Sequence, residues 1–140
     1  MATQTTAAQG SSDTPHGAPP SNTKTIEMTT ILDRHMAAFS AGDVDALIED
    51  YTDDSVMITQ DATHTGRAAI RVFFSGLLAE HFTPGTYDFT MDVVTFEGDT
   101  VYIVWHASCA SAEVILATDT FVLRDGKIAT QTFTAKMEPK

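Results

Sequence analysis

Basic residues are scarce in this chain of 140. Eight lysines and arginines stand against nineteen aspartates and glutamates, a formal charge of −11 at neutral pH. Nucleic acids and anionic membrane surfaces both attract a basic face, so neither is expected as a partner. Cysteine is scarcer still. Cys109 stands alone, which excludes an intrachain disulfide and a cysteine-based zinc cluster. It lies in "VYIVWHASCAS", a half-buried strand pattern with no basic cluster nearby to lower its pKa, and reads as a packed, inert thiol. Long apolar runs are also missing: none approaches the roughly 20 residues that a membrane span needs. The N-terminus has neither the charged start nor the apolar stretch of a secretory signal. The expected location is the cytoplasm.

Apolar residues in general are not scarce. They make up 43% of the chain, enough for one domain with a real core. They are missing only from the first stretch, "MATQTTAAQGSSDTPHGAPPSN", where no large aliphatic or aromatic side chain follows Met1. Such a segment cannot bury enough surface to offset its ordering entropy. Residues 1–22 are therefore expected to be a disordered tail, with His16 playing no part, and residues 23–140 to be the folded domain.

From Lys24 the pattern changes. Met28, Ile31, Leu32, His35, Met36 and Phe39 recur at helical spacing, which predicts a helix over about 24–41, ending at Gly42. Asp43 can cap a second, shorter helix, "VDALIEDYT", with Val44, Leu47, Ile48 and Tyr51 on its apolar side. The acids around it (Asp45, Glu49, Asp50, Asp53, Asp54) read as a solvated face. "SVMITQD" alternates like a strand, "ATHTG" reads as a loop, and "RAAIRVFFSGLLAEHF" predicts a third helix. Four strand patterns follow at Tyr87–Phe96, Val101–Cys109, Val114–Leu123 and Ile128–Lys136, the last two joined by the hairpin signal "RDGK". Helices segregated from an antiparallel sheet make this an α+β domain.

Three polar residues sit where apolar ones are expected. His35 interrupts the stripe of the first helix, Tyr51 that of the second, and Asp119 shares a strand face with Ile115, Ala117, Phe121 and Leu123. Aspartate is almost never fully buried without a partner. No lysine or arginine precedes Arg124 in that strand, so a salt bridge within it is not on offer. Each of the three can be a core residue satisfied by one hydrogen bond. For Asp119 the alternative is a carboxyl that keeps its proton and donates into a cavity.

These features, read together with "AAFSAGDVDALIEDYTDDSVMI" and "THTGRAAIRVFF", resemble the NTF2-like (SnoaL-like) superfamily. The resemblance covers about 24–136. It implies a cone: a strongly curved antiparallel sheet wrapped around three N-terminal helices, with a mostly apolar pocket at the open end and a homodimer formed through the outer sheet face. Among its branches the ketosteroid isomerases give the nearest comparison of residues. His35 falls where they carry an oxyanion-hole tyrosine, and Asp119 where they carry a neutral aspartic acid that donates to the same oxyanion. Tyr51 matches a second tyrosine, and Phe74 replaces a third. Their general base, an aspartate in the first strand, is here Thr59, with Asp61 two residues on. Phe39, Phe121 and Gln131 complete the implied lining, with His106 a further candidate.

The resemblance implies a cofactor-independent enzyme doing acid–base chemistry (isomerisation, cyclisation, dehydration or hydrolysis) on a small lipophilic molecule. His35 and Asp119 would polarise or protonate its oxygen, and Asp61 or His106 would be the base. A binding protein without turnover is the alternative, favoured by the missing aspartate; a scaffold whose pocket its own side chains fill is a third. No metal is expected, since His64, His106, Asp61 and the Glu80–His81 pair show no ligand spacing. The discriminating question is whether a base in or after the first strand points into the cavity that holds Asp119.

Overall fold

A computed structural model describes residues 19–140, with side chains from Thr23 onward. Two helices, α1 (Pro19–Ala41) and α2 (Val44–Ile48), lead into β1 (Tyr51–Thr59) and β2 (Thr63–Thr65). Helix α3 (Arg67–Glu80) follows, and then β3 (Tyr87–Glu97), β4 (Thr100–Cys109), β5 (Ala112–Arg124) and β6 (Lys127–Pro139). The element order is that of the α+β cone expected from the sequence.

Helix α1 starts earlier than its apolar stripe. Proline is tolerated in a first turn, where the missing N–H has no acceptor to serve, so Pro19–Asn22 are helical rather than part of a tail. The rest of the expected tail, residues 1–18, lies outside the described residues. Gly42 ends α1 at a positive φ of 68°, with a Pro84 ring carbon only 2.8 Å from where a Cβ would stand. No other residue fits there. Asp43 caps α2 as expected, its Oδ1 accepting the Ala46 N–H at 3.1 Å.

Helix α2 is shorter than its pattern, and Tyr51 opens β1 instead of closing the helix. Asp50, expected on a solvated face, is fully buried. Its partner comes from α1: the Arg34 Nε–H donates to Asp50 Oδ1 at 2.9 Å, and Oδ2 has no partner among the described residues. Removing one partner of a buried pair strands the other charge, at a cost of about 3–5 kcal/mol. The Arg34 side chain is half exposed, which lowers that cost. Arg34→Ala is expected to cost about 2 kcal/mol in a urea melt.

The sheet order is β2-β1-β6-β5-β4-β3, antiparallel throughout except for the parallel β1–β6 pair. Register shifts fall between Met91 and Val93, between Trp105 and Ala107, and between Val114 and Leu116. Bulges increase strand twist and bending. The last two shifts are one extra residue in β5 seen from its two neighbours, and the first is an extra residue in β3. These bulges, on either side of β4, curl the sheet, and its concave face closes on α1 and α3. The β5 bulge also changes the strand's phase. Ala117, Asp119, Phe121 and Leu123 point inward as expected, but Ile115 is exposed and Val114 takes the buried place.

The core lies between this concave face and the helices. Ile31, Leu32, Phe39, Ile70, Phe74 and Leu78 meet Val101, Ile103, Trp105, Phe121 and Ile128 there. Along β4 burial alternates residue by residue, as a sheet covered on one side requires.

Candidate functional site

Strand register builds the site. Asp119 lies opposite Ile103 on β4 and Phe133 on β6, while Trp105 pairs with Ala117 and Gln131 with Phe121. Trp105 and Gln131 are thus diagonal neighbours of Asp119 on the concave face, within reach of long side chains. The Trp105 indole N–H donates to Asp119 Oδ1 at 2.8 Å, and the Gln131 amide donates to Oδ2 at 2.8 Å. Behind Gln131, the Tyr51 hydroxyl donates to Gln131 Oε1. Every hydrogen bond in this chain runs toward the carboxylate.

Burial raises the Asp119 pKa to about 6, against the opposing pull of the two N–H donors. No lysine or arginine pairs with Asp119 among the described residues. At neutral pH the carboxylate form is therefore favoured, with the protonated form within easy reach. A carboxyl that keeps its proton is favoured by burial below about pH 6, and the two N–H donors, which stabilise the charged form, favour the carboxylate above it.

His35 comes from the inward face of α1 and is almost wholly buried. Burial lowers its pKa to about 4, so it is a neutral imidazole at physiological pH. Its ring meets Phe121, Phe74 and Tyr51 edge-on, with centroids 5.2, 5.9 and 6.3 Å away. Its Nδ1 has no hydrogen-bond partner among the described residues. An unsatisfied buried polar atom of this kind costs about 1–3 kcal/mol.

His35 and Asp119 line one cavity of about 30 Å³. By that measure it has room for about two waters. Of the lining expected from the sequence, Phe39, Phe74, Phe121 and Gln131 are also there. Tyr51 is not in the lining; it supports the site from behind Gln131. Met36, Phe73, Leu77, Phe89, Ile103, Trp105 and Phe133 complete the walls and were not anticipated. Strand parity carried part of that signal: Ile103 and Trp105 alternate with exposed or half-exposed neighbours in β4.

The other candidates lie elsewhere. Strand β1 stops at Thr59, whose N–H bonds to the Ala62 carbonyl at 2.8 Å and turns the chain into β2. Asp61 sits exposed in that turn, its N–H on Thr59 Oγ1 at 3.2 Å. Segment 63–65, expected as loop, is strand β2, with His64 opposite Met57. His106 is on the convex face, where Nδ1 lies 2.7 Å from Asp92 Oδ2. Neither Asp61, Thr59 nor His106 lines the cavity. Among the described residues, no three His, Cys, Asp or Glu side chains gather as a metal site. No described helix is long and apolar enough to cross a membrane.

Comparison with known proteins agrees with this arrangement. No curated protein matches the chain. Solved structures do. A candidate polyketide cyclase from Sinorhizobium meliloti has 24% identity and a TM-score of 0.64, over 74% of this chain and 93% of its own. An NTF2-like protein of unknown function from Burkholderia xenovorans has 18% identity and a TM-score of 0.67, over 81% and 85%. A candidate ketosteroid isomerase from Kribbella flavida has 12% identity and a TM-score of 0.65, over 79% and 78%. These likenesses establish the fold. The SnoaL-like domain profile matches residues 32–131, a span that holds His35, Trp105, Asp119 and Gln131. The chain belongs to the SnoaL-like domain family.

Proposed function

We propose that this chain is a cofactor-independent acid–base enzyme, with Asp119 moving a proton of a small lipophilic carbonyl or hydroxyl compound and neutral His35 holding its oxygen. One observation carries the reading: a buried carboxylate, oriented by two N–H donors, shares an aromatic cavity with an imidazole that has an unpartnered nitrogen. Each Asp119 oxygen accepts one hydrogen bond and keeps lone-pair capacity for a substrate proton. A carboxyl with a pKa near 6 both takes and returns protons near neutrality, which matches the requirement for general acid–base catalysis. A substrate oxygen bonded to His35 relieves the unpartnered nitrogen, so binding recovers a cost that the free protein bears. Isomerisation, cyclisation, dehydration and hydrolysis can each use such a pair, and the likeness to a candidate cyclase and a candidate isomerase supports that range.

Binding without turnover is the second reading. The observation in its favour is that Asp61, Thr59 and His106 stay outside the cavity, leaving Asp119 as its only carboxylate among the described residues. A cavity of about 30 Å³ is far below the roughly 300 Å³ of a drug-sized site, so a ligand must displace side chains to enter. Trp105 is the only tryptophan, and it reports that event directly. Enones, lactones and phenols that change its emission in wild type but not in Asp119→Ala place the ligand at Asp119. Conversion of those compounds supports the enzyme; tight binding with no conversion supports the second reading. Equal responses in the two proteins contradict both.

The reading extends to a partner, a second copy of this chain on the convex sheet face. Tyr102 and Leu116 are exposed there, and the register places them among Thr118, Thr120, Thr132 and Thr134. Light scattering is expected to give a dimer mass for wild type and a monomer mass for Tyr102→Glu. A wild-type monomer contradicts the pairing.

A further inference from the structure

Beyond the cavity of His35 and Asp119 lies a smaller one of about 10 Å³. Leu32, Val101, Leu123 and Ile128 form its walls, with His35 and Phe121 on the side facing the first cavity. Apart from the imidazole the lining is entirely apolar. A void this size is at the lower limit for one water, and the imidazole is the single polar side chain in its lining, fewer than the two to four partners that a buried water needs, so it stays dry. The walls of such a void also lack contacts on one side. It suits a small apolar group better than it suits solvent.

His35 and Phe121 are common to both linings, so one layer of rings separates the two spaces. Packing rather than hydrogen bonding holds that layer. His35 Nδ1 makes no hydrogen bond, and Phe121 has only packing to hold it. Moving either ring toward a rotamer that joins the cavities breaks no hydrogen bond made by Nδ1. The carboxylate and its donors lie entirely on the first side, so opening the partition leaves the Trp105–Asp119–Gln131 group in place.

We propose that the cavity bounded by Leu32, Val101, Leu123 and Ile128 is an alkyl subsite. It takes a short unbranched aliphatic substituent on the ligand whose polar group meets His35 and Asp119. The inference rests on the first cavity being the ligand site and adds the class of ligand: a compact polar head carrying a chain of one or two carbons. Leu32 and Val101 are then the residues that set the permitted chain length.

The test is a series running from phenol through 4-methyl-, 4-ethyl-, 4-propyl- and 4-butylphenol, titrated against the full-length protein. Trp105 emission is the readout, excited on the red edge beyond phenol absorption. Affinity is expected to rise about fourfold per carbon through the first one or two, the value of burying a methylene, and then to fall. Leu32→Ala or Val101→Ala moves the optimum outward by two or more carbons. Leu77→Ala, which widens only the first cavity, leaves the optimum where it is. Should Leu32→Ala not fold, Ile128→Val enlarges the same space at a smaller cost and is expected to move the optimum by one carbon. If phenol binds and neither chain length nor these substitutions alter the profile, the subsite is wrong while the first cavity stands as a ligand site. If phenol and its homologues all fail to perturb Trp105, both the subsite and the ligand site fall.

Discussion

Asp119→Asn is expected to stabilise the protein at pH 8 by about 2 kcal/mol, read as the difference between urea melts. The Asp119 pKa rises from 3.8 to about 6 on folding, so the native state holds this proton more tightly than the unfolded chain does. Between those values the native state binds more protons, and stability falls as pH rises. A shift of about two units corresponds to about 3 kcal/mol. The loss is complete above pH 6 and absent below pH 3.8. Asparagine carries no charge at any pH and escapes it. Its own amide would meet an N–H donor, but Gln131 can rotate its amide to present Oε1, with the Tyr51 hydroxyl then accepting. That rearrangement takes back a fraction of the gain, which sets the net figure near 2 kcal/mol. The advantage should shrink toward zero at pH 4. An Asn variant less stable than wild type at pH 8 would mean that the carboxylate contributes to the fold. A stabilising loss at one buried acid is the signature of a residue kept for function.

His35→Phe tests the opposite slope. The His35 pKa falls from 6.5 to about 4 on folding, so from pH 6.5 down to 4 the unfolded chain binds the proton and the native state does not. Stability contributed by this group is intact above pH 6.5 and is lost as pH falls, by about 3 kcal/mol at the lower limit. Phenylalanine removes that loss and also the unpartnered Nδ1, itself worth about 1–3 kcal/mol. The variant should exceed wild type modestly at pH 7.5 and by several kcal/mol at pH 4. Between pH 4 and 6 the His35 and Asp119 contributions run in opposite directions and nearly cancel in wild type. Each single variant exposes the slope of the other group: stability rising with pH in Asp119→Asn, falling with pH in His35→Phe. Parallel profiles for the two variants would contradict the opposed titrations.

Much of the fold could be read from the sequence because it is written in local periodicity. The stripe from Met28 to Phe39 defines α1, and two-residue alternation defines the four long strands. The oddness of Asp119 was legible in the same way, since parity alone put it beside Ala117 and Phe121. What parity cannot show is register. Trp105 became a partner of Asp119 only because β4 and β5 pair Trp105 with Ala117, and the Gln131 contact likewise depends on the β5–β6 register. Ile115 was misplaced because a bulge shifts the phase of β5. Nothing local marks Asp50 as buried, because its arginine partner lies sixteen residues away on α1. Asp61 missed the cavity because the Thr59–Ala62 turn ends β1 before it.

The central claim is that Asp119 moves protons in this cavity, and hydrogen–deuterium exchange tests it without knowledge of the physiological substrate. Small enones and ketones that perturb Trp105 would be incubated with the protein in D2O, and loss of the α-hydrogen signal followed by NMR. The account predicts exchange that rises with pH through about 6 as Asp119 ionises. It further predicts a fall of about 10²–10⁴-fold in Asp119→Asn, the usual contribution of a general base, with ligand affinity largely retained. Exchange at the same rate in Asp119→Asn, or no exchange from compounds that demonstrably occupy the site, would contradict it.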